Sequence, residues 1–188
     1  DRTDATPAAS LETVRDRLHG FDVHPYAVHL TESRLLLRTV DVHADAALVD
    51  GEFSLGRFGV HRTDALRGER TAFAGAAEST RARRREAAAA VNDREDFGFV
   101  VSDAPTGRVE EPPEAYDDYR NAAPGYDRSA LYLERAAAWL GDGGRLSMAV
   151  DGSLLGADAA AGARSRLAAG FRLRELVEFD TGGGAEPL

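Results

Sequence analysis

The run Leu18–Thr39, LHGFDVHPYAVHLTESRLLLRT, contains the strand-to-helix transition on which the fold prediction depends. Its first part, Leu18–Val23, is short and mainly apolar, with an acid at Asp22, and Pro25 prevents a strand from continuing. Apolar residues then recur at helical spacing through Tyr26–Thr39. We therefore predict a buried strand that ends at an Asp, then a turn, then a helix with one apolar face.

The same alternation of strand and helix continues on both sides of this run. Upstream, Ser10 is a suitable cap for a helix that runs to about Arg17. Downstream, the pattern predicts elements at Phe58–Leu66 (strand), Arg81–Val91 (helix), Phe97–Val101 (strand), Asp127–Leu140 (helix), Arg145–Val150 (strand), Ala157–Ala169 (helix) and Leu173–Phe179 (strand). Strands that alternate with helices in this way indicate an α/β fold, with a parallel sheet covered by helices on both faces.

Three successive predicted strands end at or beside an Asp, namely Asp22, Asp64 and Asp103. In parallel α/β sheets, ligands bind at the carboxyl ends of the strands. A carboxylate has the two acceptor oxygens that a ribose diol requires, so Asp22 is a candidate ribose ligand, and Asp64 could accept from the exocyclic amine of an adenine ring. Either acid could instead be an ordinary cap or loop residue, Asp22 for the helix that begins near Pro25.

The third strand leads into the tetrapeptide Asp103–Thr106, DAPT, at the same edge of the sheet. An Asp103 carboxylate and the Ala104 carbonyl could accept the two hydrogens of an amine and so orient its nitrogen lone pair. The alternative is a simple strand-ending turn, since Asp, Pro and Gly107 are common in turns. Residues 107–126 then form a long predicted loop.

The composition of the 188-residue chain, of which 43% is hydrophobic, is sufficient for a sizeable core and excludes several classes of function. Cys is absent, so disulfides, thiolate metal sites and a Cys nucleophile are excluded. The five His have no metal-site spacing, so we expect no metal site. No run approaches the roughly 18 apolar residues of a membrane span, and a cytoplasmic protein is the simplest interpretation.

The charged residues are unusual because all 23 basic residues are Arg, against 32 acids, for a net charge of −9. This pattern indicates either a GC-rich genome or adaptation to a salt-loving cytoplasm, and the composition does not separate the two. Phosphate contacts need Lys and Arg, so an acidic chain is not an obvious DNA-binding surface. The Arg cluster in Arg81–Val91 could form a nucleic-acid patch, or it could be a solvated helix face.

The order and spacing of these segments resemble S-adenosylmethionine-dependent, adenine-specific DNA methylases of the large restriction–modification (type IIG-like) family. Leu18–Thr39 is similar to the second strand and following helix of that family, and FGVHRTDAL at Phe58–Leu66 is similar to the next cofactor motif. FGFVVSDAPTG at Phe97–Gly107 resembles the catalytic strand. The resemblance also covers the helix, glycine turn and strand within Tyr126–Leu155 and the final strand within Phe171–Asp180.

The resemblance implies particular roles for residues at the strand ends. It implies cofactor contacts at Asp22, Val23, Asp64 and Ala65, and a catalytic site at Asp103, Ala104, Pro105 and Thr106. The family pattern at the catalytic strand is Asn, Asp or Ser, then Pro-Pro and an aromatic residue. Here Ala104 replaces the first Pro, and Thr106 replaces the aromatic side chain that would stack on a flipped adenine.

The family's glycine-rich cofactor loop has no counterpart in this chain and is expected before Asp1. We expect Gly141, Gly143 and Gly144 to end the helix at 127–140, whereas Gly182–Gly184 follow the last predicted strand. Neither group follows a strand and opens a helix, as a cofactor loop must. The resemblance thus implies a Rossmann-like class I methyltransferase sheet that lacks its first, central strand.

This architecture leads to a specific prediction for strand pairing. The strand ending at Asp22 should pair with the one ending at Asp64, and the Asp103 strand with the one ending near Val150, with no ladder between the Asp22 and Asp103 strands. Residues 1–188 would form one partial catalytic domain, with the target-recognition region beyond 188.

The function that the resemblance implies is transfer of a methyl group from S-adenosylmethionine to the exocyclic amine of adenine in DNA. The partner would be double-stranded DNA with a flipped adenine, bound mainly by regions outside this chain. Two alternatives stay open. One is a catalytically inactive methylase-like DNA-binding or interaction module of a defence system. The other is an NAD-dependent oxidoreductase, because an acid after the second strand also suits a dinucleotide ribose.

Overall fold

The computed structural model describes residues 5–66, 78–92, 96–109, 119 and 127–179. The chain divides into two compact units, Asp1–Arg94 (unit 1) and Glu95–Leu188 (unit 2). Each unit is described by itself below. Most of the predicted loop at 107–126, and the glycines at 182–184, lie outside the described residues.

Unit 1 is built on two parallel strands and the helices that pack on them. Its elements are α1 (Pro7–Arg17), β1 (His19–Asp22), α2 (Pro25–Val49), β2 (Gly59–Arg62) and α3 (Glu78–Asn92). The α1 helix begins earlier than the predicted Ser10, because the Thr6 side chain accepts from the Ala9 N–H and Pro7 occupies the first turn. The core of the unit consists of Leu11, Val28, Ala46, Leu55, Phe58 and Val60.

The α2 helix runs ten residues further than the predicted end at Thr39. The continuation places Val42 and Ala46 against the core, on the same side as Val28. Packing of this face, rather than local propensity, therefore sustains the helix to Val49. The short β2 strand lies within the predicted range Phe58–Leu66, and the chain leaves the ladder after Arg62, two residues before Asp64.

Unit 2 also has two parallel strands. Its elements are β3 (Phe97–Asp103), α4 (Arg128–Trp139), β4 (Leu140–Ala149), α5 (Ser153–Gly156), a 3₁₀ turn (Asp158–Ala160) and α6 (Ala161–Gly170). The 3₁₀ turn and α6 together replace the single helix that was predicted from Ala157 to Ala169. On one side of the sheet, Leu146 and Met148 of β4 pack against a core of Ala130, Leu133, Leu154, Ala160 and Ala163.

The prediction that Gly141, Gly143 and Gly144 close a helix was wrong, since they lie within β4. Gly143 has a φ of +75°, which interrupts the ladder between Phe97 and Phe99. A Cβ on Gly144 would lie 2.8 Å from the Phe97 carbonyl oxygen, so the two backbones approach as only glycine permits. Regular pairing then starts at Arg145, which is where the sequence predicted the strand to begin.

The predicted final strand at Leu173–Phe179 was also wrong. Residues 171–179 have no regular secondary structure, and the side chains of Leu173 and Phe179 are 74% and 81% exposed. A strand requires a ladder partner for its backbone groups, and none of the described strands pairs with this segment.

Two of the strand-pairing predictions are confirmed. β1 pairs with β2 and β3 pairs with β4, both in parallel. The chain is therefore a mixed α/β protein in which helices flank small parallel sheets.

Candidate functional site

The carboxyl ends of β1 and β2 meet at one edge of the unit 1 sheet. Asp22, the last residue of β1, is the register partner of Arg62, the last residue of β2. The chain stays in contact beyond the strands, because the Thr63 N–H donates to the Asp22 carbonyl oxygen at 3.0 Å. Asp22 and Asp64 therefore belong to the same edge, as the alternation of strands and helices requires.

The Asp22 carboxylate is exposed and supports the turn that leads into α2. Its Oδ1 accepts from the His24 N–H at 2.7 Å. The cap of α2 is His24, whose Nδ1 accepts from the Tyr26 N–H at 3.3 Å, so Asp22 is not the capping residue. A carboxylate offers about four lone-pair positions, so the turn hydrogen bond leaves Asp22 capacity for a ligand diol.

The second acid, Asp64, lies in a more enclosed position. It is half-buried, its Oδ1 accepts from the Leu66 N–H at 2.9 Å, and Ala65 and Leu66 are buried. Val23, at the end of the neighbouring strand, is 58% exposed. This edge thus presents an exposed apolar side chain beside two carboxylates, which suits a flat polar ring and its sugar.

Thr63 is a site residue that the sequence analysis did not identify. It is 6% exposed, and its Oγ1 has no hydrogen-bond partner in the described part of the chain. Buried hydroxyl groups normally have a partner, so the Thr63 hydroxyl, between β2 and Asp64, is a candidate ligand contact. The only sequence signal was its position directly before Asp64; burial of its side chain is a tertiary property.

The predicted catalytic tetrapeptide forms an anchored turn in unit 2. Asp103, the last residue of β3, is exposed, and the Ala104 N–H donates to the Ala149 carbonyl oxygen at 3.1 Å. Ala104 is buried, whereas Pro105 and Thr106 are exposed. The turn therefore holds the Asp103 carboxylate at the carboxyl end of β3, and the exposed residues Pro105 and Thr106 form the tip of the turn.

A second contact fixes the far side of this turn. The Gly107 carbonyl oxygen accepts from the Arg128 N–H, the first residue of α4, at 2.9 Å. Backbone hydrogen bonds thus anchor Ala104 to β4 and Gly107 to α4, at both ends of the turn. A turn anchored in this way can position a carboxylate toward an amine.

The predicted site residues are thus divided between the two units. Asp22, Val23, Asp64 and Ala65 lie together at the edge of unit 1. The tetrapeptide Asp103–Thr106 lies at the corresponding edge of unit 2. Among the described residues, no group of three or more His, Asp or Glu side chains is arranged to hold a metal ion.

The cavities of unit 1 do not coincide with the predicted edge. A cavity of about 500 Å³ is lined by residues that include His19 and Gly59, which begin β1 and β2, and Ala90 of α3. A smaller cavity of about 190 Å³ lies between α2 and the segment before β2. None of the predicted site residues lines either cavity, so neither cavity is the predicted cofactor site.

No family model, curated protein or solved structure matches this chain. Within the described ranges, no helix has the length and apolar character needed to span a bilayer.

Proposed function

We propose that this chain is part of an S-adenosylmethionine-dependent methyltransferase that acts on the exocyclic amine of adenine in DNA. The observation that carries the proposal is the shared edge of β1 and β2, where Asp22 ends β1 and Asp64 follows the end of β2 by two residues. Ligand sites of parallel α/β sheets form at this edge, and carboxylates there suit the hydroxyl and amine groups of an adenosine moiety.

In this proposal, each small sheet is part of a larger parallel sheet in a longer parent protein. Parallel sheets are normally covered on both faces and contain more than two strands. Here Phe99 and Val101, which share one face of β3, are 71% and 82% exposed. Such exposed apolar residues support a further layer that covers this face of β3 in the parent.

The hydrogen-bonding groups at the unit 1 edge fit the cofactor. Asp22 would hold the ribose hydroxyls, and Asp64 would hold the exocyclic amine of the cofactor adenine. The Thr63 hydroxyl has no hydrogen-bond partner among the described residues and would be a further contact. When bound, S-adenosylmethionine would supply an electrophilic methyl group. The chain's contribution is to orient the cofactor and to keep its adenine against Val23 and Ala65.

Asp103 and the Ala104 carbonyl would hold the amine of the target adenine. Two acceptors fix the two amine hydrogens and leave the nitrogen lone pair directed toward the methyl donor. The anchored turn between Ala104 and Gly107 is suited to this positioning role. Contacts with the DNA backbone would come mainly from regions outside this chain, given its net charge of −9.

A second candidate function is a catalytically inactive methylase-like module that binds DNA or a protein partner. The exposed Thr106 favours it, because an aromatic side chain at that tip would stack on a flipped base and Thr cannot. An NAD-dependent oxidoreductase is the remaining alternative, and it gives no role to Asp64 or Asp103.

Chemical-shift mapping by NMR tests the cofactor part of the proposal, because it detects weak binding and locates it. With millimolar S-adenosylmethionine, we expect shifts confined in unit 1 to the amides near Asp22, Thr63 and Asp64, and we expect Asp22→Ala to remove them. A parallel titration with NAD is the control. Larger NAD shifts at the same amides would favour the oxidoreductase, and shifts at His19 and Gly59 instead would place the ligand in the cavity and contradict the proposal.

Methylation assays on a longer protein that contains these residues test the catalytic part. Asp103→Ala should abolish methylation of adenine-containing duplex DNA. Thr106→Tyr should raise it by about tenfold, since base stacking contributes roughly 1–3 kcal/mol. Absence of methylation in both the parent and the Thr106→Tyr variant, with DNA binding retained, would favour the inactive module.

A further inference from the structure

The outward side of α2 carries a second apolar stripe, opposite the side that packs into the core of unit 1. The inward side presents Val28, Leu35, Val42 and Ala46. The outward stripe follows spacings of four and three residues, with apolar side chains at Tyr26, Leu30, Leu37, Val40, Ala44 and Leu48 and a polar one at Ser33. A helix on the surface of a protein normally has a single apolar face, so the second one calls for a partner.

The large members of the outward stripe are well exposed. Leu37 is 72%, Val40 53% and Leu48 85% exposed to solvent. The helix has 25 residues and is therefore roughly 37 Å long, enough to display the stripe over several turns. Spacings of four and three are those of the contact seam between two packed helices.

One flank of this stripe is charged, with the two signs separated along the helix. Arg34 and Arg38 come first and Asp41 and Asp45 follow, and all four side chains are exposed. Like charges four residues apart destabilise an isolated helix, and this flank contains such a pair of each sign. In the described part of the chain, none of the four forms an ion pair.

Two copies of α2 that pack antiparallel through their outward stripes bring opposite charges together. A two-fold axis perpendicular to the helices, level with Thr39, maps the charged flank of one copy onto the charged flank of the other. Arg34 and Arg38 then lie beside Asp45 and Asp41 of the second copy, and the symmetry repeats both pairs. Leu37 and Val40 of each copy meet at the centre of the seam.

A parallel arrangement lacks this complementarity. It would place the charged flank of one copy against the opposite flank of the other, where the corresponding side chains are His29, Leu36 and His43. The charge pattern therefore selects a second copy of this chain, in antiparallel orientation, over the parallel alternative.

We propose that the outward face of α2 is the interface of an antiparallel homodimer of this chain. The interface consists of the stripe from Leu30 to Leu48, with the charged flank formed by Arg34, Arg38, Asp41 and Asp45. This assembly does not depend on the proposed methyltransferase function, because it uses neither the edge of β1 and β2 nor the Asp103 turn.

Charge inversion on the flank, followed by sedimentation equilibrium, tests the proposal. The unaltered chain should have twice its 20.1 kDa mass. The all-acidic variant R34D/R38D and the all-basic variant D41R/D45R should each be monomeric, with dissociation constants raised at least about tenfold by like-charge repulsion. Mixing the two variants should restore a dimer that contains one copy of each.

The matched control is R172D/R174D, which changes the net charge as much as R34D/R38D does but lies on the exposed segment at 171–179. This control should remain dimeric, and circular dichroism should show unchanged helix content in every variant. A monomeric unaltered chain, or a mixture of R34D/R38D and D41R/D45R that stays monomeric, would overturn the proposal.

Cysteine cross-linking tests the orientation, and the chain has no Cys to interfere. In the antiparallel dimer, position 30 of one copy lies near position 48 of the other. Leu30→Cys and Leu48→Cys should therefore give little disulfide-linked dimer separately, and a mixed disulfide when combined. Efficient Leu30→Cys homodimer cross-linking would show parallel helices and contradict the assignment.

Discussion

Thr63 has a hydroxyl group in the interior of unit 1 without a hydrogen-bond partner in the described part of the chain. A buried, unsatisfied polar group costs about 1–3 kcal/mol, and this cost is removed by an apolar side chain of the same shape. The position directly before Asp64 suggests that the cost is retained for ligand binding, since strained or unsatisfied groups concentrate at functional sites.

The first prediction follows from this conflict between stability and binding. Thr63→Val should raise the free energy of unfolding by about 1 kcal/mol, measured by urea denaturation, because it removes the hydroxyl and keeps the volume. Thr63→Ser, which keeps the hydroxyl, is the control and should not stabilise the chain. The same Thr63→Val variant should lose the shifts that S-adenosylmethionine causes at the Asp64 amide. A destabilised Thr63→Val variant would mean that the hydroxyl group has a partner.

A second prediction at the residue scale concerns Asp151, which follows β4 in unit 2. The Ser153 hydroxyl, and then the Ser153 N–H at 2.8 Å, donate to its carboxylate and lower the pKa of Asp151. Because the pKa is lower in the folded chain, this carboxylate stabilises the fold above its ordinary pKa, and the contribution is lost as the pH falls through the lowered value.

Ser153→Ala should therefore raise the pKa of Asp151 part of the way back, because the backbone hydrogen bond remains. Carbon-13 NMR titration of the Asp carboxyl resonances measures the change. Ser165→Ala, at an exposed position on α6, is the control and should leave the pKa of Asp151 unchanged. An equal shift in both variants would show that the Ser153 hydroxyl is not the cause.

Among the secondary-structure elements, β3 and β4 offer the clearest test, because their close approach depends on a glycine. A Cβ on Gly144 would lie 2.8 Å from the Phe97 carbonyl oxygen and from Leu140 Cδ2, whereas a Cβ on Gly98 would meet nothing within 4 Å. Gly144→Ala should thus force β3 and β4 apart and lower the free energy of unfolding by about 1–3 kcal/mol. Gly98→Ala, in the neighbouring strand, should change it little, and equal losses in the two variants would contradict the close approach.

The elements that the sequence predicted well are those with a strong local pattern. Pro25 after Asp22 marked the end of β1, and the apolar run FGFVV marked β3, so both strands and their pairing could be predicted. The sequence analysis misinterpreted Gly141, Gly143 and Gly144, because glycine favours both the end of a helix and the close approach of two strands. The contact between β3 and these glycines decides between the two alternatives, and a tertiary contact is not visible in the local sequence.

The predicted site shows the same division between local and tertiary information. Asp22, Asp64 and Asp103 could be placed at strand ends because each follows an apolar run. Thr63 could not, since its burial depends on packing around β2. Leu173–Phe179 is rich in apolar residues, yet a strand also requires a neighbour, and the pattern of one segment contains no information about its partner.

For the whole molecule, the dominant property is its charge. The net charge is −9, and every basic residue is Arg, so no Lys contributes to balancing the 32 acids. Excess charge of one sign destabilises a compact state through self-repulsion. Exposed ion pairs such as Arg57–Glu32, 2.6 Å apart, contribute only about 0–1 kcal/mol each and do not offset a general repulsion.

The last prediction is that salt acts in opposite directions on the fold and on the proposed dimer. Raising KCl from about 0.1 M to about 1 M shortens the Debye length from about 10 Å to about 3 Å, so repulsion among the acids is screened and the urea midpoint of the monomeric chain should rise. The ion pairs along the charged flank of α2 are screened by the same change, so the dimer should dissociate more readily. KCl is preferred to sulfate, which also strengthens apolar burial.

A urea midpoint that does not change with salt would show that the Arg residues already compensate the charge of the acids, as simple GC bias predicts. A rising midpoint would instead favour adaptation of this composition to a salt-rich cytoplasm.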